Sequence, residues 1–212
     1  MTLASDMRFW DRAARKYAKA KIGDPVGYER TIKRVRALLA PHDRVLELGC
    51  GTGTTALRLA PGVQSYLATD ISPKMIAIAE EKHAAGPIAW LSFRSETAQS
   101  LSESATPFTT VLGFNYLHLI RDLPGTLRHV HDLLAPQGLF ISKTPCLGDM
   151  NILIRGALLP AMRAVGKAPH VTVFRADALS AQIQAAGFEI LASEGHATRG
   201  RDTRPFIVAR KR

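Results

Sequence analysis

Glu47, Gly49, Gly51 and Gly53 occupy alternate positions in VLELGCGTGTTA (45–56), and a second carboxylate, Asp70, follows seventeen residues after the last glycine. Glycines this dense let the backbone approach a ligand closely, and they open onto a helix whose free N–H groups favour an anion. Gly51-x-Gly53-x-x-Ala56 satisfies the dinucleotide pattern, in which a pyrophosphate rests on that helix end. Glu47, two residues ahead of Gly49, is a poor neighbour for such a group and a good one for a cation. The sulfonium and ammonium of S-adenosylmethionine would supply that cation. Asp70 can accept both ribose hydroxyls of either adenosyl ligand, so it supports adenosine without discriminating between the two. Cys50, inside the loop, either borders the cofactor together with the glycines or is a small residue that fills space.

Those residues need elements to hold them. Five short β-rich runs end at polar or glycine positions: RVLEL (44–48), QSYLATD (64–70), IAWLSFR (88–94), FTTVLGF (108–114) and GLFISKT (138–144). Between them lie helical stretches. Ser72 and Pro73 supply a cap and a first-turn proline for KMIAIAEEKHAAG, with Gly86 as its stop, and RDLPGTLRHVHDLLAPQG ends at Pro136 and Gly138. This alternation predicts an α/β class, a Rossmann-like doubly wound parallel sheet covered on both faces. The tail departs from it. FRADALSAQIQAAGFEIL gives a helix closed by Gly187 and then a strand, after which ATRGRDTR turns into PFIVARKR with no room for a crossover helix. Strands joined by a short polar loop are antiparallel. The expected sheet therefore has seven strands, mostly parallel, with one antiparallel strand near the C-terminus.

A chain of 212 residues suits one α/β domain. Its expected parts are an N-terminal helical cap (1–40), a cofactor-binding core (41–145), a substrate cover (146–174) and a C-terminal helix with a β-hairpin (175–212). Two cysteines, Cys50 and Cys146, make no disulfide framework, and no Cys/His cluster has zinc spacing, so no metal is expected. MTLASDMRFWDRAARKYAKAK lacks the apolar core of a signal peptide, which predicts a cytoplasmic protein. The net charge of +10 is concentrated at the ends. Residues 1–40 hold ten Lys/Arg against four Asp/Glu and residues 197–212 hold six against one, leaving the middle near neutrality. Such ends read first as solvated faces, and peripheral contact between the basic N-terminal helix and anionic lipid is the specific alternative.

The ordered set Glu47-x-Gly49-x-Gly51-x-Gly53, Asp70, FNYLHLIRD, LLAPQGLFISKTP and GFEI…RPFIVARKR resembles the class I S-adenosylmethionine-dependent methyltransferases over nearly the whole chain. The nearest likeness is to small single-domain bacterial enzymes of the methyltransferase 11/25 type, which include ubiquinone-pathway and other small-molecule methyltransferases. The resemblance implies an enzyme that converts S-adenosyl-L-methionine to S-adenosyl-L-homocysteine. It implies that Glu47, Gly49 and Gly51 line the methionine end, that Asp70 binds the ribose, and that Ile71 and Met75 flank the sugar and adenine. Where the family has Asp-Ala after the third strand this chain has Thr97-Ala98, so Thr97 or Glu96 would take the adenine amine, with the Ala98 amide serving the ring. The segment Phe114-Asn115-Tyr116-Leu117-His118 would run along the methionine moiety toward the transferable methyl. His118 would be either a general base or a shaping residue of the pocket. FWDRAARKYAK is similar to the family's aromatic lid, with Trp10, Ala14 and Tyr17 on one helical face; the alternative is an ordinary amphipathic helix that packs Phe9, Trp10 and Tyr17 into the body.

MNILIRGALLPAMRAVGKAPHVTVF (150–174) is the least family-like stretch and the expected cover. Its apolar part is shorter than the ~20 residues a membrane span needs. An apolar cover suggests an acceptor with a hydrophobic part, such as a quinone precursor, an acyl chain or an aromatic acid; the same stretch could instead pack on a sheet edge. Nucleic acid is not the expected partner. Gly113-Phe114-Asn115-Tyr116 lacks the paired prolines of amino-directed DNA enzymes, and no proline-cysteine nucleophile pair stands at that position after the fourth strand. The leading expectation is methyl transfer to a small organic molecule by a monomer or homodimer. Beside it stand a membrane-surface phospholipid or quinone-pathway methyltransferase, a cofactor-binding module without turnover, and a nicotinamide-dependent oxidoreductase.

Overall fold

The computed structural model describes residues 2–101, 106–150, 169–198, 200 and 202–212. Seven strands form one sheet: β1 (Arg44–Leu48), β2 (Ser65–Asp70), β3 (Leu91–Ser95), β4 (Phe108–Phe114), β5 (Leu134–Lys143), β6 (Phe188–Glu194) and β7 (Phe206–Lys211), in the order β3-β2-β1-β4-β5-β7-β6. Neighbours from β3 to β5 run parallel, and β7 runs antiparallel to both β5 and β6. The sheet is thus mostly parallel with one reversed strand near the C-terminus, as the short polar loop before PFIVARKR requires.

Six α-helices are described: α1 (Leu3–Lys19), α2 (Pro25–Arg36), α3 (Thr54–Leu59), α4 (Pro73–Ala84), α5 (Leu123–Leu133) and α6 (Ala176–Ala185). Three of them open on the same local chemistry. Asp24, Ser72 and Asp122 accept the backbone N–H three residues on, and a proline follows within the first two helical positions, so the cap and the fixed proline φ fix each entry. Along the strands, side chains alternate between two cores. Leu46, Leu48, Val111 and Phe140 share one cluster with α5 and α6. Val45, Tyr66, Leu112 and Ile141 share the other with α2, α3 and α4.

Two boundaries differ from the sequence expectation. β5 begins at Leu134, so Ala135–Gln137 belong to the strand and not to the preceding helix. Proline cannot continue a helix, and Gln137 takes φ of +63° where the β4–β5 register shifts between Phe108 and Thr110. Lys211 Nζ then donates to the carbonyls of His131 and Leu134, tying off the end of α5. β3 begins at Leu91 because Ile88–Trp90 form a turn, with the Leu91 N–H donating to the Ile88 carbonyl and the Trp90 indole to that of Ala60.

The chain leaves β1 for β2 and β3 on one side and returns to β4 on the other. The carboxyl ends of β1 and β4 therefore face a topological switch point, where an open α/β sheet leaves a crevice. Of the expected substrate cover (146–174), residues 151–168 lie outside the described residues.

Candidate functional site

A cavity of about 640 Å³ occupies that crevice, bounded by the ends of the central strands and by α1. Its volume suits a medium-sized ligand together with a small second molecule.

The glycine loop forms one wall. Gly49 and Gly51 line the cavity, both with positive φ, and a Cβ at Gly49 would come within 2.7 Å of the Tyr116 ring. Asp70 fixes the loop from the end of β2: one carboxylate oxygen accepts the Gly51 N–H at 3.0 Å and the other the Ser72 N–H at 2.9 Å. The Cys50 N–H donates to the Thr69 carbonyl, completing the bridge between loop and strand. Burial raises the Asp70 pKa against the pull of those two N–H groups.

Three members of the motif do not line the cavity. Gly53 holds φ of +73° at the start of α3, and a Cβ there would meet the Ala79 methyl and the Phe93 ring at 2.8 Å. It is a packing glycine. Cys50 is buried, its thiol pushed up by desolvation and the nearby carboxylates, and it fills space. Glu47 shares the face of Val45, one layer beneath the wall, 2% exposed, where the Tyr66 hydroxyl donates to its Oε2 at 2.8 Å. Burial pushes its carboxyl up to about 7, aided by the charge of Asp70 and opposed by the Tyr66 hydrogen bond.

The remaining expected residues converge. Ile71 and Met75 line the cavity beyond Asp70, and Glu96, Thr97 and Ala98 line it after β3. Thr97 caps the following turn, accepting the Ser100 N–H at 3.1 Å. Its hydroxyl is committed locally, which leaves Glu96 as the freer acceptor of the pair. Phe114 and Asn115 line the cavity from the end of β4; Asn115 adopts φ of +51°, a conformation asparagine tolerates better than most residues, and donates its N–H to the Lys143 carbonyl.

Helix α1 roofs the site with Leu3, Asp6, Trp10 and Tyr17. The Trp10 and Tyr17 rings meet edge to face at 6.2 Å, and Tyr17 lies above Gly51. Ala14 is the one buried residue of this helix, so polar clasps do much to hold it. Asp6 takes Arg121 in a two-pronged ion pair, and Asp11 accepts the Ser72 hydroxyl at 2.6 Å and the Lys74 N–H at 3.2 Å.

His118 lines the opposite end, with its Nδ1 sealed from solvent and without a partner among the described residues. Burial, and then the charge of Arg204, pushes its pKa down to about 4. The ring is neutral near pH 7 and has low proton affinity, which favours the shaping role over the base. Tyr116 lines the cavity with its segment as expected, whereas Leu117 is buried in the core; Asp6, Arg121 and Arg204 also line it, and sequence reasoning did not assign them to the site. The i, i+4 spacing of Asp6 and Trp10 could have signalled the first. Arg204 arrives on a loop from a distant strand pair and left no such signal.

Comparison with known proteins decides the family. Residues 14–193 match the family model described as a methyltransferase domain. The chain belongs to that family. The matching type is 23, where the sequence reading placed the chain nearest types 11 and 25. A ubiquinone biosynthesis O-methyltransferase of Sinorhizobium fredii is 25% identical over 186 residues, covering 79% of this chain and 73% of that one. The chain spans only 3% of a hybrid PKS-NRPS synthetase of Aspergillus flavus and 7% of a highly reducing polyketide synthase of Penicillium soppii, both of which it also matches. Among solved structures, magnesium protoporphyrin IX methyltransferase from Synechocystis PCC 6803 with bound SAH has a TM-score of 0.71 at 18% identity, covering 98% of this chain and 95% of that one. The [4+2]-cyclase SpnF also reaches 0.71, at 20% identity over 86% and 80%. These structural likenesses show a shared fold, and the cyclase shows that the fold alone does not fix a reaction.

The buried carboxyl of Glu47 has a measurable consequence. Its pKa is raised on folding, so its contribution to stability is fully present below the unfolded value near 4.5 and is lost as pH rises toward about 7. Denaturant titrations across that window should show Glu47→Gln gaining on the parent chain by roughly 3 kcal/mol between its two ends. A constant difference across the window would contradict the buried, proton-linked carboxyl.

Proposed function

We propose that this chain is an S-adenosylmethionine-dependent methyltransferase acting on a small organic acceptor with an apolar part. The observation that carries the proposal is the loop of Gly49 and Gly51 pinned by Asp70 at the switch point, with the carboxyl of Glu47 directly beneath it. Asp70 serves either ligand, so the discriminating group is the buried carboxyl of Glu47, which a nearby pyrophosphate would hold neutral and a sulfonium or ammonium would favour in its ionised form. That asymmetry argues against the nicotinamide reading.

The cofactor would supply an electrophilic methyl group whose carbon–sulfur bond breaks as the acceptor bonds to carbon. The residues of the chain do the rest. Gly49 and Gly51 admit the ligand close to the backbone, Asp70 is placed to accept ribose hydroxyls, and Glu96 is the better-placed acceptor for the adenine amine because Thr97 is spent on its cap. Trp10 and Tyr17 close the roof and keep water away from the reacting carbon, where their π faces suit a neighbouring cation. Alignment and exclusion of water can carry an in-line displacement with a charged leaving group, so His118 need not act as a base. The walls Phe114, Leu119, Ile120 and Pro145 support an acceptor with an apolar body. A quinone-pathway acceptor agrees with the name of the Sinorhizobium relative.

The direct test is turnover of methyl-labelled S-adenosylmethionine with purified protein and a cell extract, followed by separation of organic, aqueous and macromolecular fractions. Label in a small-molecule fraction is expected, preferentially the organic one. Tight cofactor binding with no label transferred would reduce the chain to a binding module, and label in nucleic acid would contradict the acceptor class. The roof gives a second test. Replacing both Asp6 and Asp11 by alanine removes the clasps while leaving the sheet intact, and should speed dissociation of S-adenosylhomocysteine about tenfold in stopped flow. An unchanged rate would mean that α1 is not a lid.

A further inference from the structure

Two cations line the cavity among the described residues, and only one is matched. Arg121 is engaged by Asp6. Arg204 reaches the cavity from the β6–β7 loop and makes no salt bridge among the described residues. That loop is built to hold it. Asp202 accepts the N–H groups of His196 at 2.7 Å, Ala197 at 2.8 Å and Arg204 itself at 2.9 Å, and the Thr203 carbonyl accepts the Cys146 N–H at 2.8 Å from the end of β5. The backbone leading into Arg204 is thus held in place, and its side chain lines the cavity.

We infer that Arg204 and His118 form a recognition subsite for a carboxylate of the methyl acceptor, so that the substrate class is a small organic acid with an apolar body. The inference deepens the methyltransferase reading and rests on it for placing the acceptor at this end of the cavity. Asp70 and Glu96 line the same cavity and suit the cationic cofactor, so the cavity offers groups of both signs, one for each ligand. Arg204 is solvent-exposed where it lines the cavity beside Phe114 and Pro145, free to turn toward a ligand, and its planar fork fits a carboxylate with two parallel hydrogen bonds. His118 adds a directed donor. Nδ1 is sealed and unpartnered, so a proton there would be a buried unsatisfied donor, and the favoured tautomer carries it on Nε2, the nitrogen left to meet a ligand. Its depressed pKa keeps the ring neutral, so the subsite offers one positive charge and one neutral donor. That matches a monoanion. A dianionic phosphate would bring one charge more than this subsite offers.

The test titrates the whole chain, saturated with S-adenosylhomocysteine, with benzoate, with its neutral isostere benzamide and with inorganic phosphate, for the parent, Arg204→Gln and Arg204→Lys. Benzoate should bind the parent at least about tenfold more tightly than benzamide, one ion-pair-sized difference. Arg204→Gln should abolish that preference and Arg204→Lys should keep part of it, while phosphate fails to displace benzoate. Equal binding of the two probes, no detectable binding of benzoate, a preference that survives Arg204→Gln, or phosphate binding as tightly as benzoate would each overturn the inference. Affinity for S-adenosylhomocysteine is read separately and reports whether the variants fold. If the parent does not bind it, the cofactor reading fails, and the same benzoate titration on the unloaded chain still decides the subsite.

Discussion

The carboxylate of Asp70 joins three parts of the molecule at once. It stands at the end of β2, takes the Gly51 N–H from the loop after β1, and takes the Ser72 N–H at the entry to α4. Without it the loop N–H would need another acceptor and the glycines would lose their fixed path. Ser72 carries the linkage onward: its hydroxyl caps the Met75 N–H and donates to Asp11 of α1. A short chain of hydrogen bonds therefore runs from the central strands through the loop to the roof. The same carboxylate faces the cavity, so the group that shapes the site also sets its charge.

Charge is layered around this hinge. Glu47 is buried beside the loop with Tyr66, and the exposed Arg204 lines the cavity that Asp70 and Glu96 also line. A cavity lined by groups of both signs can orient a cationic cofactor and an anionic acceptor without a metal-like centre of charge. The roof is of a different kind. α1 buries little and holds on through Asp6 and Asp11, interactions that can be broken and remade at modest cost, as a roof that admits ligand requires.

Much of this was legible in the chain. Strand runs such as RVLEL and FTTVLGF, bounded by glycine and polar residues, carried their own boundaries, and the missing crossover before PFIVARKR carried the reversed strand. The N-cap and proline pairs placed the helix starts. Legibility failed where direction and long-range folding decide. The alternating glycines give spacing, but only the three-dimensional packing of Ala79 and Phe93 shows that Gly53 faces α4 and β3 while Gly49 faces the cavity. The sign argument found Glu47 and could not say that it lies one layer below the wall. The strand that absorbs Pro136 and Gln137 is set by its pairing with β4, which no local pattern announces. Arg204 and Asp6 reach the site through a loop and a terminal helix that fold back from afar.

The coupling between the buried carboxyl and a bound cation is the central claim, and calorimetry near pH 7 tests it most directly. S-Adenosylmethionine would be titrated into the parent chain and into Glu47→Gln in two buffers of different ionisation enthalpy. A cation held above Glu47 favours its ionised form, so binding to the parent should release protons and binding to the variant should release fewer or none. Binding with the same proton balance in both proteins, or no binding at all, would contradict the account.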